Sequence, residues 1–207
     1  MSIKRKKELI DYLAKTNSYL IEDDFDAEFR INSSPTTSLY TLGNNNIIFF
    51  STFSTTLYPG LRLAYAILPN KILEAYNEKY KSYASTVPML LQLTLKDFIR
   101  DGFYASHINR RKKLYMLKRQ RAIEALRKYN INYNEKANYL SLLINIGRNV
   151  DTMLLNKFKD NDINIQALSS FDVDKKNSPY LILGYTSINI DKIDEGIAKI
   201  KKIIGEC

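Results

Sequence analysis

Residues 47–69 read IIFFSTFSTTLYPGLRLAYAILP, and the fold class turns on this stretch. Ile47-Ile48-Phe49-Phe50 is a continuous apolar run, which predicts a strand buried on both faces. Leu61 to Leu68, closed by Pro69, predicts another strand of the same kind. Between them, Ser51-Thr52-Phe53-Ser54-Thr55-Thr56 sets five hydroxyls in six residues ahead of Arg62. Hydroxyls and a guanidinium both donate hydrogen bonds to phosphate oxygens, so this loop is a candidate phosphate cradle. A polar turn followed by a surface arginine is the equally weighted alternative.

Upstream, Ile3, Leu9, Ile10 and Leu13 recur at helical spacing among Lys and Glu, predicting a helix over 3–16 that Asn17-Ser18 ends. Tyr19-Leu20-Ile21 predicts a third buried strand, halting at Glu22-Asp23-Asp24. Residues 32–46, rich in Ser, Thr, Asn, Pro and Gly, are loop. Three apolar strands of parallel type preceded by a helix suit an α/β sheet covered on both faces. In such sheets ligands bind beyond strand ends, so the loops after residues 21 and 50 are the places to look for chemistry. A carboxylate there could ligate a metal, act as a base or pair with a ring nitrogen cation. From composition alone, clustered acids more often just solvate a loop.

Downstream the pattern turns helical from Lys71 to Tyr129. Ile72, Leu73 and Tyr76 begin it, Pro88 opens a new helix, and Gly102 breaks that segment. A long basic helix follows from about Ser106 to Lys128, with Ile108, Leu114, Tyr115, Leu117, Ile123 and Leu126 as its apolar side. Residues 140–146 predict a strand, 151–158 a helix, 163–165 and 180–183 strands. Ile190, Ile193, Ile197, Ile200 and Ile203 mark a closing amphipathic helix.

The chain has 207 residues, 45% hydrophobic and 26% charged, ordinary for a globular protein. Seven glycines and five prolines exclude collagen-like and low-complexity classes. No apolar run approaches the roughly 20 residues of a membrane span, and the basic start MSIKRKKELIDYL has no apolar signal core. Cys207 is the single cysteine, which leaves no intrachain disulfide and no cysteine-based metal site. A cytoplasmic location and no metal are the default expectations. The net charge is +9, and ten bases against Asp101 and Glu124 place +8 of it between Arg100 and Lys128. Such a stripe can bind nucleic acid, though the solvated face of a long helix is the commoner reason for one.

Taken together, IEDDFDAEFR (residues 21–30) and STFSTTLYPGLRLAYAILP (residues 51–69) resemble the paired cofactor loops of a fold-type I, pyridoxal-phosphate-dependent aminotransferase class I/II domain. The version they are most similar to is the one fused to a winged helix in the MocR/GabR regulators of the GntR family. There the loops read roughly EDDYDSEFR and GTFSKTLAPGLRLGY. QLTLKDFIRDGFYASHINRRKKLYMLKRQR (residues 92–121) and LILGYTSI (residues 181–188) extend the resemblance to essentially the whole chain. It implies an incomplete large-domain sheet over 1–70, linker helices over 71–129, and a small C-terminal α/β domain over 130–207. It further implies a truncated frame, lacking the winged helix and the first half of the aminotransferase domain.

Site residues follow by resemblance. Asp23 matches the aspartate that pairs with the pyridine nitrogen. Phe25 stands where the family has a tyrosine that donates to the cofactor's phenolic oxygen, and lacks the hydroxyl. Thr52, Ser54 and Arg62 match the phosphate-binding positions. Thr55 occupies the position of the Schiff-base lysine, and a hydroxyl cannot form that imine or act as the amine base. No catalytic residue is therefore assigned. Ser187 lies about where some members carry a substrate-carboxylate arginine. His107, the sole histidine, matches a helix-start position and is read as structural. The implied cofactor is pyridoxal 5′-phosphate, weakly held or lost, and the implied partners are a small amino compound and a second copy. The basic helix becomes a connector, which argues against nucleic acid. The reading is a degenerate aminotransferase-like domain without transaminase activity. The alternative is a non-catalytic sensing or interaction module that keeps weak cofactor binding.

Overall fold

The computed structural model describes residues 1–25, 27–29, 38–43, 45–134, 140–173 and 177–205. The chain divides into two compact units, Met1–Ile108 and Asn109–Cys207.

In the first unit, α1 (Ile3–Thr16) spans the predicted range. Ser2 caps it by accepting from the Arg5 N–H, and Asn17 ends it in the left-handed conformation at φ 52°. Three strands follow: β1 (Leu20–Asp23), β2 (Ile47–Thr52) and β3 (Ala64–Ile67). The short helix α2 (Leu39–Leu42) lies between the first two. β1 pairs parallel with β2, Leu20 opposite Ile47 and Asp23 opposite Phe50. β3 runs antiparallel to β2, Thr52 opposite Ala64, which corrects the expectation of three parallel strands.

The expectation of cover on both faces also fails among the described residues. Alternation along the strands puts Leu20, Glu22, Ile47 and Phe49 on one face. Leu20 and Ile47 pack there with Leu13 of α1 and Leu39 of α2. Ile21, Asp23 and Phe50 share the other face, where Ile21 is 65% exposed and Phe50 38%. Apolar side chains on both sides of a strand call for two covering layers, and these residues receive one. The strand expected over 61–68 is shorter, because Pro59–Leu61 forms a 3-10 turn instead. Three further helices follow: α3 (Asn70–Tyr80), α4 (Met89–Arg100) and α5 (Phe103–Lys128). Gly102, at φ 78°, makes the break before α5.

The second unit is a four-stranded antiparallel sheet in the order β4-β5-β7-β6. Its strands are β4 (Asn132–Asn134), β5 (Ser141–Asn145), β6 (Gln166–Ala167) and β7 (Tyr180–Gly184). The part of α5 from Asn109 onward and two helices, α6 (Thr152–Asp160) and α7 (Ile193–Gly205), complete it. Leu142, Ile144, Leu181 and Leu183 pack with Leu154, Phe158, Ile193, Ile197, Ile200 and Ile203. Each such fully buried side chain contributes about 1.5–3 kcal/mol. β6 lies just past the Ile163–Ile165 run expected as a strand, because the chain first turns through Asp162 at φ 58°.

The core side of α5 is the predicted one only in part: Ile108 and Leu126 are buried, and Ile123 packs against the second unit's core. Leu114 and Leu117 are 37% and 51% exposed, while Lys118, Arg119, Ala122, Ala125 and Leu126 are buried. Small alanines and the aliphatic stems of the two bases fill that side. Lys118 Nζ donates to the Thr186 carbonyl at 2.7 Å. Among the described residues, no helix is long and apolar enough to cross a membrane. Also among them, no group of three or more His, Cys, Asp or Glu could hold a metal ion.

Candidate functional site

Three segments of the first unit are stitched together at one edge of its sheet. The parallel pairing brings the C-terminal ends of β1 and β2 to the same side, and antiparallel β3 starts there. The Asp24 N–H donates to the Phe50 carbonyl at 3.0 Å, and the Ser51 hydroxyl donates to the Asp24 carbonyl at 3.1 Å. The Phe53 N–H and the Thr52 hydroxyl both reach the Leu63 carbonyl, at 2.9 and 3.0 Å. Asp23, Phe25, Thr52, Ser54, Thr55 and Arg62 therefore lie on neighbouring segments of one strand-end edge.

The acid cluster divides its labour by strand alternation. Glu22 faces α2, and its carboxylate accepts from the Ser38 hydroxyl at 2.6 Å and the Leu39 and Tyr40 N–H groups, each at 2.9 Å. An anion at the start of a helix satisfies N–H groups that have no partner within it. Asp24 is buried. Asp23 projects to the opposite, open face, exposed and with no partner among the described residues.

The hydroxyl loop is a turn closed by the Leu57 N–H on the Phe53 carbonyl at 2.9 Å. Thr52 uses its hydroxyl internally, donating to Leu63 and accepting from the Ser54 N–H at 3.0 Å. Thr56 is buried; its hydroxyl accepts from Tyr104 at 3.3 Å and donates to the Phe53 carbonyl at 3.4 Å. The Thr56 carbonyl lies 3.0 Å from His107 Nε2, and a carbonyl can only accept, so that nitrogen carries the proton. Burial raises the Tyr104 hydroxyl above its usual 10.0, offset in part by the Thr56 hydrogen bond. α5 thus fixes the turn through two side chains, and His107 has the structural place expected of it.

That leaves the hydroxyls of Ser54 and Thr55, both half-buried, and the exposed guanidinium of Arg62. None of them has a partner among the described residues. Arg62 holds φ at 46°, a left-handed backbone that costs a non-glycine residue about 1–2 kcal/mol. Strain of that kind clusters at ligand-binding turns. No lysine occurs between Lys15 and Lys71, so the segments forming the edge contain no amine. Phe53, Leu63 and Tyr65 line a cleft of about 350 Å³ with Gln92, Leu95 and Lys96 of α4. Phe25 is 53% exposed. Ser187 belongs to the second unit, exposed on the rim of an apolar cleft of about 410 Å³ with Ile163, Ile188 and Ile197.

Sequence reasoning missed Glu22, Tyr104 and the hold of His107 on the turn. The partners of Glu22 start 16 residues downstream, and Ser38 ahead of Leu39-Tyr40 was the only local sign of a helix start.

No family model matches the chain. It is 34% identical over 206 residues to the HTH-type transcriptional regulator YdeL of Bacillus subtilis, a match covering 97% of this chain and 44% of that protein. It is 25% identical over 207 residues to the probable rhizopine catabolism regulatory protein MocR of Rhizobium meliloti, covering 97% and 42%. Among solved structures it resembles the kynurenine aminotransferase of Pyrococcus horikoshii, in complex with PMP, at a TM-score of 0.82 and 21% identity. That match covers 100% of this chain and 52% of the other. It also resembles LysN, the α-aminoadipate aminotransferase of Thermus thermophilus, complexed with N-(5′-phosphopyridoxyl)-L-leucine. There the TM-score is 0.81 and the identity 20%, over 99% of this chain and 55% of that one. At these identities the structures bear on fold alone. The chain spans a little under half the length of the regulators it matches.

Proposed function

The chain is a homologue of the C-terminal, aminotransferase-like part of MocR-type regulators, and on that premise we propose that it binds a phosphorylated pyridine without bonding to it and performs no transamination. One observation carries the reading. An edge whose Asp23 carboxylate, Ser54 and Thr55 hydroxyls and Arg62 guanidinium have no partner among the described residues has Thr55 where an amine would be needed, and no lysine in the segments that build it.

The edge fits pyridoxal 5′-phosphate in part. Ser54 and Arg62 supply donors of both kinds that a phosphate dianion takes, a neutral hydroxyl and a charged, planar guanidinium. Asp23 is an acceptor for a ring N–H, and its negative charge favours the protonated pyridine. When bound, a protonated pyridine supplies an electron sink. Thr52 spends its hydroxyl on the Leu63 carbonyl, so its part is to hold the turn. Phe25 offers an apolar ring and no donor. The covalent attachment does not fit: a threonine hydroxyl is neither the nucleophile nor the base for it. Residues 1–70 serve in this reading as the partial cofactor domain, 71–129 as linker helices and 130–207 as the small C-terminal domain. The relatives are transcriptional regulators, and binding without turnover suits a sensing module for a cofactor or a small amino compound.

The test is a titration of the protein with pyridoxal phosphate, following the red-shifted absorbance of a protein-bound imine, beside Thr55→Lys. Counting only absorbance that excess pyridoxine 5′-phosphate displaces, and so not the imines of surface lysines, the reading expects no band in the wild type and a band in the variant. No band in either sinks the claim that this edge holds the cofactor. A band in the wild type sinks the claim about Thr55, and Lys96, beside Phe53 in the cleft, is then the first lysine to replace.

A further inference from the structure

The same edge carries a statement about which form of the ligand it takes, one that rests on the cofactor-binding reading above. We infer that the site recognises pyridine 5′-phosphates without regard to the group at the 4′ position: amine and alcohol forms bind as well as the aldehyde. An amine at the site is what sets an aldehyde apart, because it alone turns recognition into a covalent bond. It also repels a protonated 4′ amine. With Thr55 in place and no lysine between Lys15 and Lys71, both effects are absent from these segments.

The groups left over read what the three forms share. On the cofactor-binding reading, Ser54 and Arg62, without partners among the described residues, address the phosphate, and Asp23 addresses the ring nitrogen. The Thr55 hydroxyl donates one hydrogen bond and accepts two. It can therefore donate to an aldehyde oxygen, accept from an ammonium, or do either with an alcohol. Its half-buried place on a turn pinned by Tyr104 and His107 keeps it at the edge whichever group arrives. Discrimination then reduces to the difference between one hydrogen bond and another. The three affinities are expected within about tenfold of each other, the factor that one net hydrogen bond is worth.

The experiment is equilibrium dialysis of the full chain against pyridoxal 5′-phosphate, pyridoxamine 5′-phosphate and pyridoxine 5′-phosphate. Wild type, Arg62→Ala and Thr55→Lys are compared. Pyridoxal phosphate also reacts with surface lysines, so only the fraction displaced by excess pyridoxine 5′-phosphate is counted. Three affinities within about tenfold, all weakened tenfold or more by Arg62→Ala, bear the inference out. A Thr55→Lys preference for the aldehyde over the amine of a hundredfold or more bears it out further. A wild-type preference of that size for the aldehyde overturns the inference while leaving the cofactor-binding reading standing. Failure of all three ligands to bind overturns both.

Discussion

Replacing Glu22 with alanine should cost the first unit about 2–4 kcal/mol. The carboxylate accepts three hydrogen bonds, from the Ser38 hydroxyl at 2.6 Å and from the Leu39 and Tyr40 amides at 2.9 Å. A hydrogen bond to a charged group contributes about 1.5–3 kcal/mol, and an anion at a helix start about 0.3–1 kcal/mol more. These do not add in full, because the pair is only part-buried and water replaces some of what is lost. Ser38 also remains to accept from the Tyr40 N–H at 3.1 Å. Glu22→Gln keeps one acceptor oxygen but turns an amide NH2 toward other donors, so about half the loss is expected. Urea unfolding followed by tyrosine fluorescence gives the total, and hydrogen exchange at the Leu39 and Tyr40 amides localises it. A loss in the alanine variant under roughly 0.5 kcal/mol, well below one charged hydrogen bond, would refute the reasoning. So would unchanged protection at those two amides.

Three further outcomes are expected. Phe158 is fully buried in the second unit's core, so Phe158→Ala should destabilise by about 3–5 kcal/mol in the same urea experiment. Burial, with the Arg111 charge adding, holds the Lys118 ammonium below the ordinary 10.5. A depressed amine costs stability while charged, and the cost is relieved as pH rises through the folded value toward 10.5. The urea midpoint of wild type relative to Lys118→Met should therefore rise across that interval, and a flat difference would count against it. Hydrogen bonds from Lys128 and Tyr129 hold the Asp194 carboxyl below its ordinary 3.8. The stability it lends is present above 3.8 and lost as pH falls through the folded value. Carboxyl NMR titration reads this directly, and because the group is exposed, 1 M salt should return the titration toward its usual range.

What the sequence made legible was whatever repeats locally. Helix α1 has its predicted bounds because Ser2 and Asn17 are caps that act within a turn. The isoleucines of α7 are buried at 193, 197, 200 and 203 because a single helical face meets a single core. The two loops of interest were found because strand ends followed by polar clusters are marked in the chain itself. Pairing partners were not legible. The antiparallel sense of β3 against β2 is written in no residue of β3 itself, and β4 is three residues of Asn and Tyr with no apolar alternation. The core side of α5 was legible at Ile108, Ile123 and Leu126 but not at Lys118 and Arg119, which count as polar in a periodicity argument while their stems pack like hydrocarbon. At the edge itself, composition could not separate Glu22 from Asp23. One residue of register puts the first on a helix start and the second on the open face.

The absence of lysine between Lys15 and Lys71 has a consequence for chemical mapping. A protease that cuts after lysine releases the whole edge as one peptide, Thr16 to Lys71, carrying Asp23, Phe25, Thr52, Ser54, Thr55 and Arg62 together. Reagents that modify amines, and borohydride trapping of aldehydes, have no internal target in that peptide. It is therefore a built-in blank: its mass should stay unaltered while lysine-bearing peptides around it gain label. Thr55→Lys adds a cleavage site and a reporter in the same change.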